Sequence, residues 1–352
     1  LSLVEVFSYV CGYGLVGVTC AVQGYGVWSL VIASLGQAVL LCLAGFVLAR
    51  PAARFDGVGT SLRHFWAYGS RHSLIGFLEF VGSNLETLYL GRMLGPHALG
   101  LYNRAQVLCN LPVEQAVGAF GKVAFPLLAR IQDDRRRHGE VFLAMLAGIG
   151  LIVAPASLGL AAAAGEAVAV VLGPNWNEAA AIVGTLALGV PALFLYYACG
   201  ITLDSLAALR AKLVLQGGAV LLKLALLVAL AGEGLVGIAL AVVLAEYARL
   251  FLGLAVCAQK LQLAPARIAR VAGYLLAVAL VAWVCVTATR EATLAAGFAV
   301  WARFALEIVA GAAALALVAL ATARWLPADS HWHASPGLGR ALAVAGRIAG
   351  RH

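Results

Sequence analysis

Long apolar stretches alternate with short polar gaps along the whole chain. A membrane-spanning helix needs roughly 20 mostly apolar residues, and ten stretches of this sequence meet that requirement. The pattern therefore predicts an all-α, multi-pass membrane protein. The ten predicted spans cover residues 2–22, 26–48, 70–91, 102–127, 141–164, 179–201, 213–232, 235–257, 268–289 and 298–322.

Basic residues fall in alternate gaps between these spans. Cytoplasmic loops of membrane proteins collect Lys and Arg, so the basic gaps predict which side each loop occupies. Only Arg92 and Arg104 interrupt the alternation. The assignment places both ends of the chain in the cytoplasm. The basic gaps hold Arg50, Arg54, Arg63 and Arg71; Arg130, Arg135, Arg136 and Arg137; Arg210 and Lys212; and Lys260, Arg267 and Arg270.

Composition and motifs narrow the class of function. Hydrophobic residues make up 63% of the chain and charged residues 11%, whereas soluble domains average about 45–50% and 25%. The net charge of +8 follows the basic loops, so no nucleic-acid partner is expected. The sequence contains no Walker A motif, zinc-ligand spacing or nucleophile elbow. We therefore expect a protein that is not an enzyme and has no cofactor or metal.

Ionisable residues within the predicted spans concentrate on the third and fourth. Glu79 and Glu86 are seven residues apart, so they share one face of a helix. On the next span Arg104, Gln115 and Lys122 are separated by 11 and 7 residues. At 100° per residue this spacing places all three within about 20° of one line. Glu114 lies beside that line.

This polar stripe has two interpretations. Charged groups within spans are costly and usually face a bundle interior or a water-filled cavity. The stripe predicts either a pathway for an anionic or heavily hydroxylated cargo, or ion pairs that lock the helices together. Expected pairs of the second kind are Glu86 with Arg104 and Glu114 with Lys122.

Three further charged residues lie within the seventh and eighth spans, and for them we favour structural roles, although they could line the same cavity. Lys223 is near the middle of the seventh span. Glu246 and Arg249, on the eighth, are three residues apart and are expected to pair with each other.

Four segments resemble bacterial polysaccharide flippases of the Wzx/WzxC type, in the multidrug/oligosaccharidyl-lipid/polysaccharide exporter superfamily. The resemblance extends over about residues 1–260, and the motifs that carry it are fairly specific together. The segments are QGYGVWSLV (Gln23–Val31), LGRMLGPHALGLYNRAQVLCNLP (Leu90–Pro112), VAFPLLARIQDD (Val123–Asp134) and VLGPNWNEAA (Val171–Ala180).

The resemblance implies two six-helix bundles followed by two further helices. The ten spans would then be helices five to fourteen, with the first four absent and the N-terminal bundle incomplete. It implies these parts: the last two helices of the first bundle at residues 1–49, a cytoplasmic linker at 50–66, the second bundle at 67–258, two additional helices at 259–325 and a cytoplasmic tail at 326–352.

The implied activity is translocation of a polyprenyl-pyrophosphate-linked oligosaccharide across the bacterial inner membrane by alternating access, coupled to an ion gradient. Lipids and other polysaccharide-assembly proteins of the membrane are the expected partners. From the spacing we predict Arg92, Arg104, Gln115 and Lys122 as cargo-binding residues, and Glu79, Glu86 and Glu114 as ion-coupling residues.

Other classes of protein stay open at this point. A related exporter could carry lipid II or a cationic drug, and a drug exporter would need an acid-rich cavity. A membrane-bound polymerase or ligase would need a large outer loop with catalytic Arg or His, and the longest outer gap here is roughly 15 residues, about the length above which loops are usually functional or disordered.

Overall fold

The computed structural model describes residues 2–49, 58–131 and 134–325. Within these ranges the side chains are described except at residues 2, 3, 49, 58–65, 67, 68, 111–113, 115–123, 125–127 and 319–325. All regular elements in the described ranges are helical, which confirms the predicted fold class. The predicted tail, 326–352, lies outside the described residues.

Ten long helices follow one another in the described part of the chain, and each coincides with one predicted span. The first, α1, runs through Ser2–Tyr9, a π-helical stretch at Val10–Gly17, and Val18–Val22. The others are α2 (Trp28–Ala49), α3 (Val58–Met93), α4 (Gly95–Arg130), α5 (Arg135–Ala162), α6 (Ala179–Ser205), α7 (Leu209–Leu230), α8 (Gly234–Leu261), α9 (Pro265–Ala295) and α10 (Val300–Trp325).

In the described part of the chain, seven helical segments are long and apolar enough to span a membrane. One of them, Leu209–Leu261, contains the hairpin of α7 and α8, so these segments include eight of the ten helices. The two helices outside them, α3 and α4, are those on which the sequence concentrates ionisable residues.

The chain divides into two compact units, Leu1–Trp66 and Ala67–His352. In the first unit α1 and α2 form a hairpin whose turn contains Gly24 and Gly26, both with positive φ. The helices approach closely at Gly12, where an added Cβ would lie 2.7 Å from the Cβ of Gln37. Small residues allow such close approach between helices in lipid.

The second unit is organised around α6, which packs against α4, α5 and α8. Its buried residues form the centre of the apolar core, together with residues of α5 and α8. The hairpin partner of α8 is α7, while α9 packs against α5 and α10. The predicted division of this unit at residue 258 stays a prediction.

Two polar links join helices of the second unit near opposite ends of α5. At its start the buried His138 Nε2 lies 3.2 Å from Ser205 Oγ of α6. Beyond its end, Glu166 Oε1 accepts a hydrogen bond of 3.1 Å from Arg290 Nε of α9. The same oxygen lies 3.8 Å from Arg303 of α10. The first link joins α5 to α6, and the second ties α9 and α10 to the segment that follows α5.

Candidate functional site

A polar cavity within the second unit is enclosed by α3, α4, α6, α7 and α8. It consists of two adjoining chambers, since Glu79, Glu114, Leu193 and Arg249 line both. We call them the Lys223 chamber, of about 310 Å³, and the Lys212 chamber, of about 580 Å³. The cavity brings ionisable side chains from five helices together in a chain that is otherwise mostly apolar.

Close packing of α6 against α8 forms one wall of the Lys223 chamber. A Cβ added at Gly189 would lie 2.9 Å from Val243 Cγ2 and 3.3 Å from its Cα. Gly189 therefore permits an approach that a larger residue would prevent. The approach brings Glu246 and Arg249 of α8 to the same cavity as the carboxylates of α3.

Lys223 of α7 is at the centre of the Lys223 chamber, with three oxygen atoms around its ammonium group. Its Nζ donates hydrogen bonds of 2.9 Å to the Gly82 carbonyl and 3.2 Å to Glu86 Oε2, both on α3. Glu246 Oε1 of α8 lies 3.4 Å away. Only 7% of the Lys223 side chain and 2% of the Glu86 side chain are exposed, so this is a buried ion pair.

Arg249 completes the charges of this chamber. Its guanidinium pairs with Glu246 Oε2 and lies 4.2 Å from the centroid of the Tyr196 ring, a favourable distance for a cation–π contact. The expected local pair of Glu246 and Arg249 is thus present. Glu86, Glu246, Lys223 and Arg249 together carry no net charge when ionised.

The Lys212 chamber contains a second lysine of α7 between two carboxylates. Lys212 Nζ lies 2.8 Å and 3.1 Å from the two oxygens of Asp204 on α6. It also lies 3.3 Å from Glu79 Oε1 of α3. The Glu79 side chain is 45% exposed, so water weakens this pair.

The predicted ion-coupling residues all reach the cavity. Glu79 and Glu114 line both chambers, and Glu86 lines the Lys223 chamber. Glu86 pairs with Lys223 and not with Arg104. The functional assignment of the three carboxylates stays a prediction.

The predicted cargo-binding residues are placed differently. Arg104 is exposed, lies 5.9 Å from the Trp176 ring, and is absent from the described lining of both chambers. Arg92 is exposed in the last turn of α3. The side chains of Gln115 and Lys122 lie outside the described residues, so the expected pair of Glu114 with Lys122 is not tested.

The sequence did not predict how many charged residues of α6, α7 and α8 line the cavity. Lys223, Glu246 and Arg249 were expected in structural roles, and Lys212 was assigned only to a basic loop. Asp204 gave no signal. The 11-residue spacing of Lys212 and Lys223 was a usable one, because it places both on one face of α7.

Ten long helices, most of them apolar enough to span a membrane, with a cavity of ionisable side chains among them, define a multi-pass membrane protein. The chain belongs to the polysaccharide biosynthesis protein family, whose family model matches residues 1–181. This confirms the family recognised in the sequence.

Curated relatives match about half of the chain. The lipopolysaccharide biosynthesis protein WzxC of Escherichia coli is 33% identical over 174 residues, which cover 47% of this chain and 35% of WzxC. The teichuronic acid biosynthesis protein TuaB of Bacillus subtilis is 28% identical over 192 residues, covering 53% and 39%. The succinoglycan biosynthesis transport protein ExoT of Rhizobium meliloti is 29% identical over 180 residues, covering 49% and 35%.

A solved structure has the same fold over most of the chain. The lipid II flippase MurJ, in an inward closed conformation, superposes with a TM-score of 0.62 over 92% of this chain and 66% of the MurJ chain. At 13% identity this likeness shows the fold alone. The matched residues span well under two thirds of each curated relative, between 35% and 39% in these three.

Proposed function

We propose that the protein translocates a polyprenyl-pyrophosphate-linked oligosaccharide across the bacterial inner membrane, from the cytoplasmic to the outer leaflet, for cell-surface polysaccharide synthesis. The observation that carries the proposal is a cavity of ionisable groups among the long helices, in a chain of the polysaccharide biosynthesis family. The names of WzxC, TuaB and ExoT support the class of cargo.

The physical task explains why such a protein needs polar groups within lipid. A sugar–pyrophosphate head that crosses hydrocarbon loses its hydration, and transfer of charged and hydroxyl groups into an apolar medium is very costly. A hydrated route with fixed charges lowers this barrier. The prenyl chain is itself apolar and can remain in the lipid throughout.

The structure suggests separate places for the coupling ion and the cargo. The described lining of the cavity has five carboxylates, from Glu79, Glu86, Glu114, Asp204 and Glu246, and four basic groups, from His72, Lys212, Lys223 and Arg249. An excess of carboxylates suits a proton or a monovalent cation better than a pyrophosphate. We propose Glu79 and Glu114 as the exchangeable carboxylates, and keep Arg92, Arg104, Gln115 and Lys122 as proposed cargo-binding residues.

The proposed orientation follows from the basic loops, with both ends of this chain in the cytoplasm. In that orientation the Lys212 chamber is on the cytoplasmic side, because Lys212 and Asp204 adjoin the basic turn between α6 and α7. The proposed partners are the lipid-linked oligosaccharide, membrane lipids and other membrane proteins of polysaccharide assembly. We propose transport without an enzymatic step.

Complementation tests the proposal directly. A strain that lacks its polysaccharide flippase receives this chain as it stands and, in a parallel arm, the complete reading frame of its gene. Surface polymer and the leaflet position of the lipid-linked oligosaccharide are then measured. Restored polymer with transfer to the outer leaflet is the expected result in at least one arm. Stable membrane protein without transfer, in strains that supply several different oligosaccharides, would refute it.

A matched pair of variants tests the carboxylate assignment in the active form. Glu114→Gln is expected to lower export strongly at normal membrane abundance, because an amide cannot exchange a proton or hold a cation. Glu291→Gln, at an exposed position of α9, is the control and should leave export unchanged. Equal export by both variants would remove Glu114 from the coupling pathway.

The excess of carboxylates also favours a second candidate, an exporter of cationic drugs. For that function a deletion strain should become more susceptible to lipophilic cations while its surface polymer stays normal. Loss of polymer with unchanged susceptibility excludes the drug exporter.

A further inference from the structure

Glu86, Glu246 and the Gly82 carbonyl surround Lys223 as oxygen ligands surround a metal cation. The ammonium has three N–H groups, and three oxygens from two other helices lie 2.9, 3.2 and 3.4 Å from Nζ. The two carboxylates come from α3 and α8, which are far apart in the sequence. Only tertiary packing brings them to one point.

We infer that these groups form a monovalent-cation site whose resident cation is the chain's own Lys223 ammonium. The inference goes beyond the proposed function, since it concerns groups of this chain and holds for any cargo. It divides the carboxylates of the cavity into two kinds. Glu86 and Glu246 hold a tethered cation in a buried position. Glu114 is exposed and Glu79, although it contacts Lys212, is 45% exposed, so both can exchange with solution.

Charge balance supports this interpretation. Arg249 occupies the second oxygen of Glu246, so Glu246 keeps one cation if Lys223 is removed. Glu86 then has none, although only 2% of its side chain is exposed. An unpaired carboxylate at such a position is very unfavourable. Removal of the ammonium therefore creates a demand for a replacement cation at Glu86 and the Gly82 carbonyl.

Distances indicate which cation would replace the ammonium. The oxygens lie 2.9–3.4 Å from Nζ, farther than the 2.3–2.6 Å of calcium–oxygen bonds. The site thus fits an ammonium better than a small divalent ion. Lys223→Ala removes Cγ, Cδ, Cε and Nζ, which together have the size and shape of n-propylammonium. The vacated space adjoins the Lys223 chamber, so a soluble amine has a route to it.

The site also ties α3 to the rest of the unit. Because the cation is attached to α7 and its ligands are on α3 and α8, α3 cannot separate from α7 without breaking the two contacts to Gly82 and Glu86. At Gly82 the two helices are already close, since an added Cβ would lie 3.3 Å from Val220 Cγ2. Where the proposed transport holds, ion exchange is then expected at Glu79 and Glu114 and not at Glu86.

Chemical rescue of stability tests the inference without any transport assay. The purified full chain and its Lys223→Ala variant are unfolded thermally in detergent, at constant ionic strength set with choline chloride. Part of the choline is then replaced by n-propylammonium or K⁺, or n-propanol is added at the same concentration as an uncharged probe. Lys260→Ala, at an exposed lysine in the last turn of α8, is the control variant.

We expect Lys223→Ala to lower the Tm by about 5–10 °C, as expected for a broken buried ion pair. n-Propylammonium should restore at least half of that loss, K⁺ a smaller part and n-propanol none. The wild type and Lys260→Ala should not respond to any probe. Rescue that is no greater with n-propylammonium than with n-propanol, or an equal gain in the wild type, would overturn the inference.

A second comparison applies if Lys223→Ala does not fold. Lys223→Arg keeps a cation at the site, whereas Lys223→Met fills a similar volume without charge. The inference requires the arginine variant to be the more stable of the two. A methionine variant as stable as the arginine variant, or more stable, would show that the site does not need a cation.

Discussion

Removal of Glu86 should partly rescue a chain that lacks Lys223. The three changes to compare are Lys223→Met, Glu86→Gln and the double variant. With Lys223→Met, Glu86 and Glu246 face the single charge of Arg249, which leaves one excess buried negative charge. The double variant retains only the pair of Glu246 and Arg249, so its charges balance again.

The geometry sets the expected magnitude. At an effective dielectric constant of about 20, charges separated by 3.2 Å attract each other by about 5 kcal/mol. Desolvation of both ions offsets much of this attraction, so the intact pair contributes little net stability. Loss of one partner is different, because it leaves the other charge buried, and typically costs about 3–5 kcal/mol. The double variant should recover about 1–3 kcal/mol relative to Lys223→Met.

Thermal unfolding in detergent, followed by tryptophan fluorescence, measures these differences. Glu86→Gln alone should be the milder single change, since Lys223 keeps Glu246 and the Gly82 carbonyl as partners. The Tm of the double variant should lie above that of Lys223→Met. A double variant whose loss equals the sum of the two single losses would refute the argument, because it would mean that the two charges do not interact.

Three further predictions concern packing and the other charged groups. In thermal unfolding, the Gly189→Ala variant should be less stable than the Gly200→Ala variant by about 1–3 kcal/mol. Both changes add one methyl group to α6. The methyl at 189 would contact Val243, whereas the methyl at 200 has nothing within 4 Å. An equal Tm for the two variants would contradict this packing. Glu166→Gln should lower stability by about 1–3 kcal/mol, because the buried carboxylate is the common partner of α9 and α10, and an unchanged Tm would contradict that role. Lys212→Ala should cost at most about 1 kcal/mol and lose its effect at high salt, since its partners are partly exposed; a larger, salt-independent loss of Tm would show that the pair is effectively buried.

The sequence predicted the positions of the helices better than it predicted which side of each helix contacts its neighbours. A span of about 20 apolar residues is required by the thickness of the bilayer, so the ten helices could be located from hydropathy alone. Which side of each helix meets its neighbours is a different question. In soluble proteins an amphipathic stripe answers it, but helices such as α7 are apolar nearly all round, and lipid accepts any apolar face.

The polar stripe on α3 and α4 therefore predicted which residues share a helix face, but not which residues they contact. Glu79 and Glu86 were correctly placed on one face, because seven residues make about two turns. The partner expected for Glu86 was Arg104 on α4, yet the structure supplies the partners of both carboxylates from α7. Arg104 instead lies beside the Trp176 ring. The spacing on α3 and α4 alone does not say which of the other membrane helices is the spatial neighbour.

One constraint could nevertheless have identified α7 as the partner of α3. Helices with an odd number of spans between them run in the same direction, so α3 and α7, with three between them, are parallel if each helix crosses the membrane once. Glu79 and Glu86 are about 10.5 Å apart along the axis, and Lys212 and Lys223 about 16.5 Å. Each pair lies within about 20° of one line on its helix. Two carboxylates on one helix and two lysines on a parallel one can thus form two successive ion pairs. The two axial separations differ by about 6 Å, which the long, flexible lysine side chains can span. The two observed contacts, Glu79 with Lys212 and Glu86 with Lys223, follow this order. Since either contact alone could be accidental, it is the shared order of the two pairs along parallel helices that identifies α3 and α7 as partners.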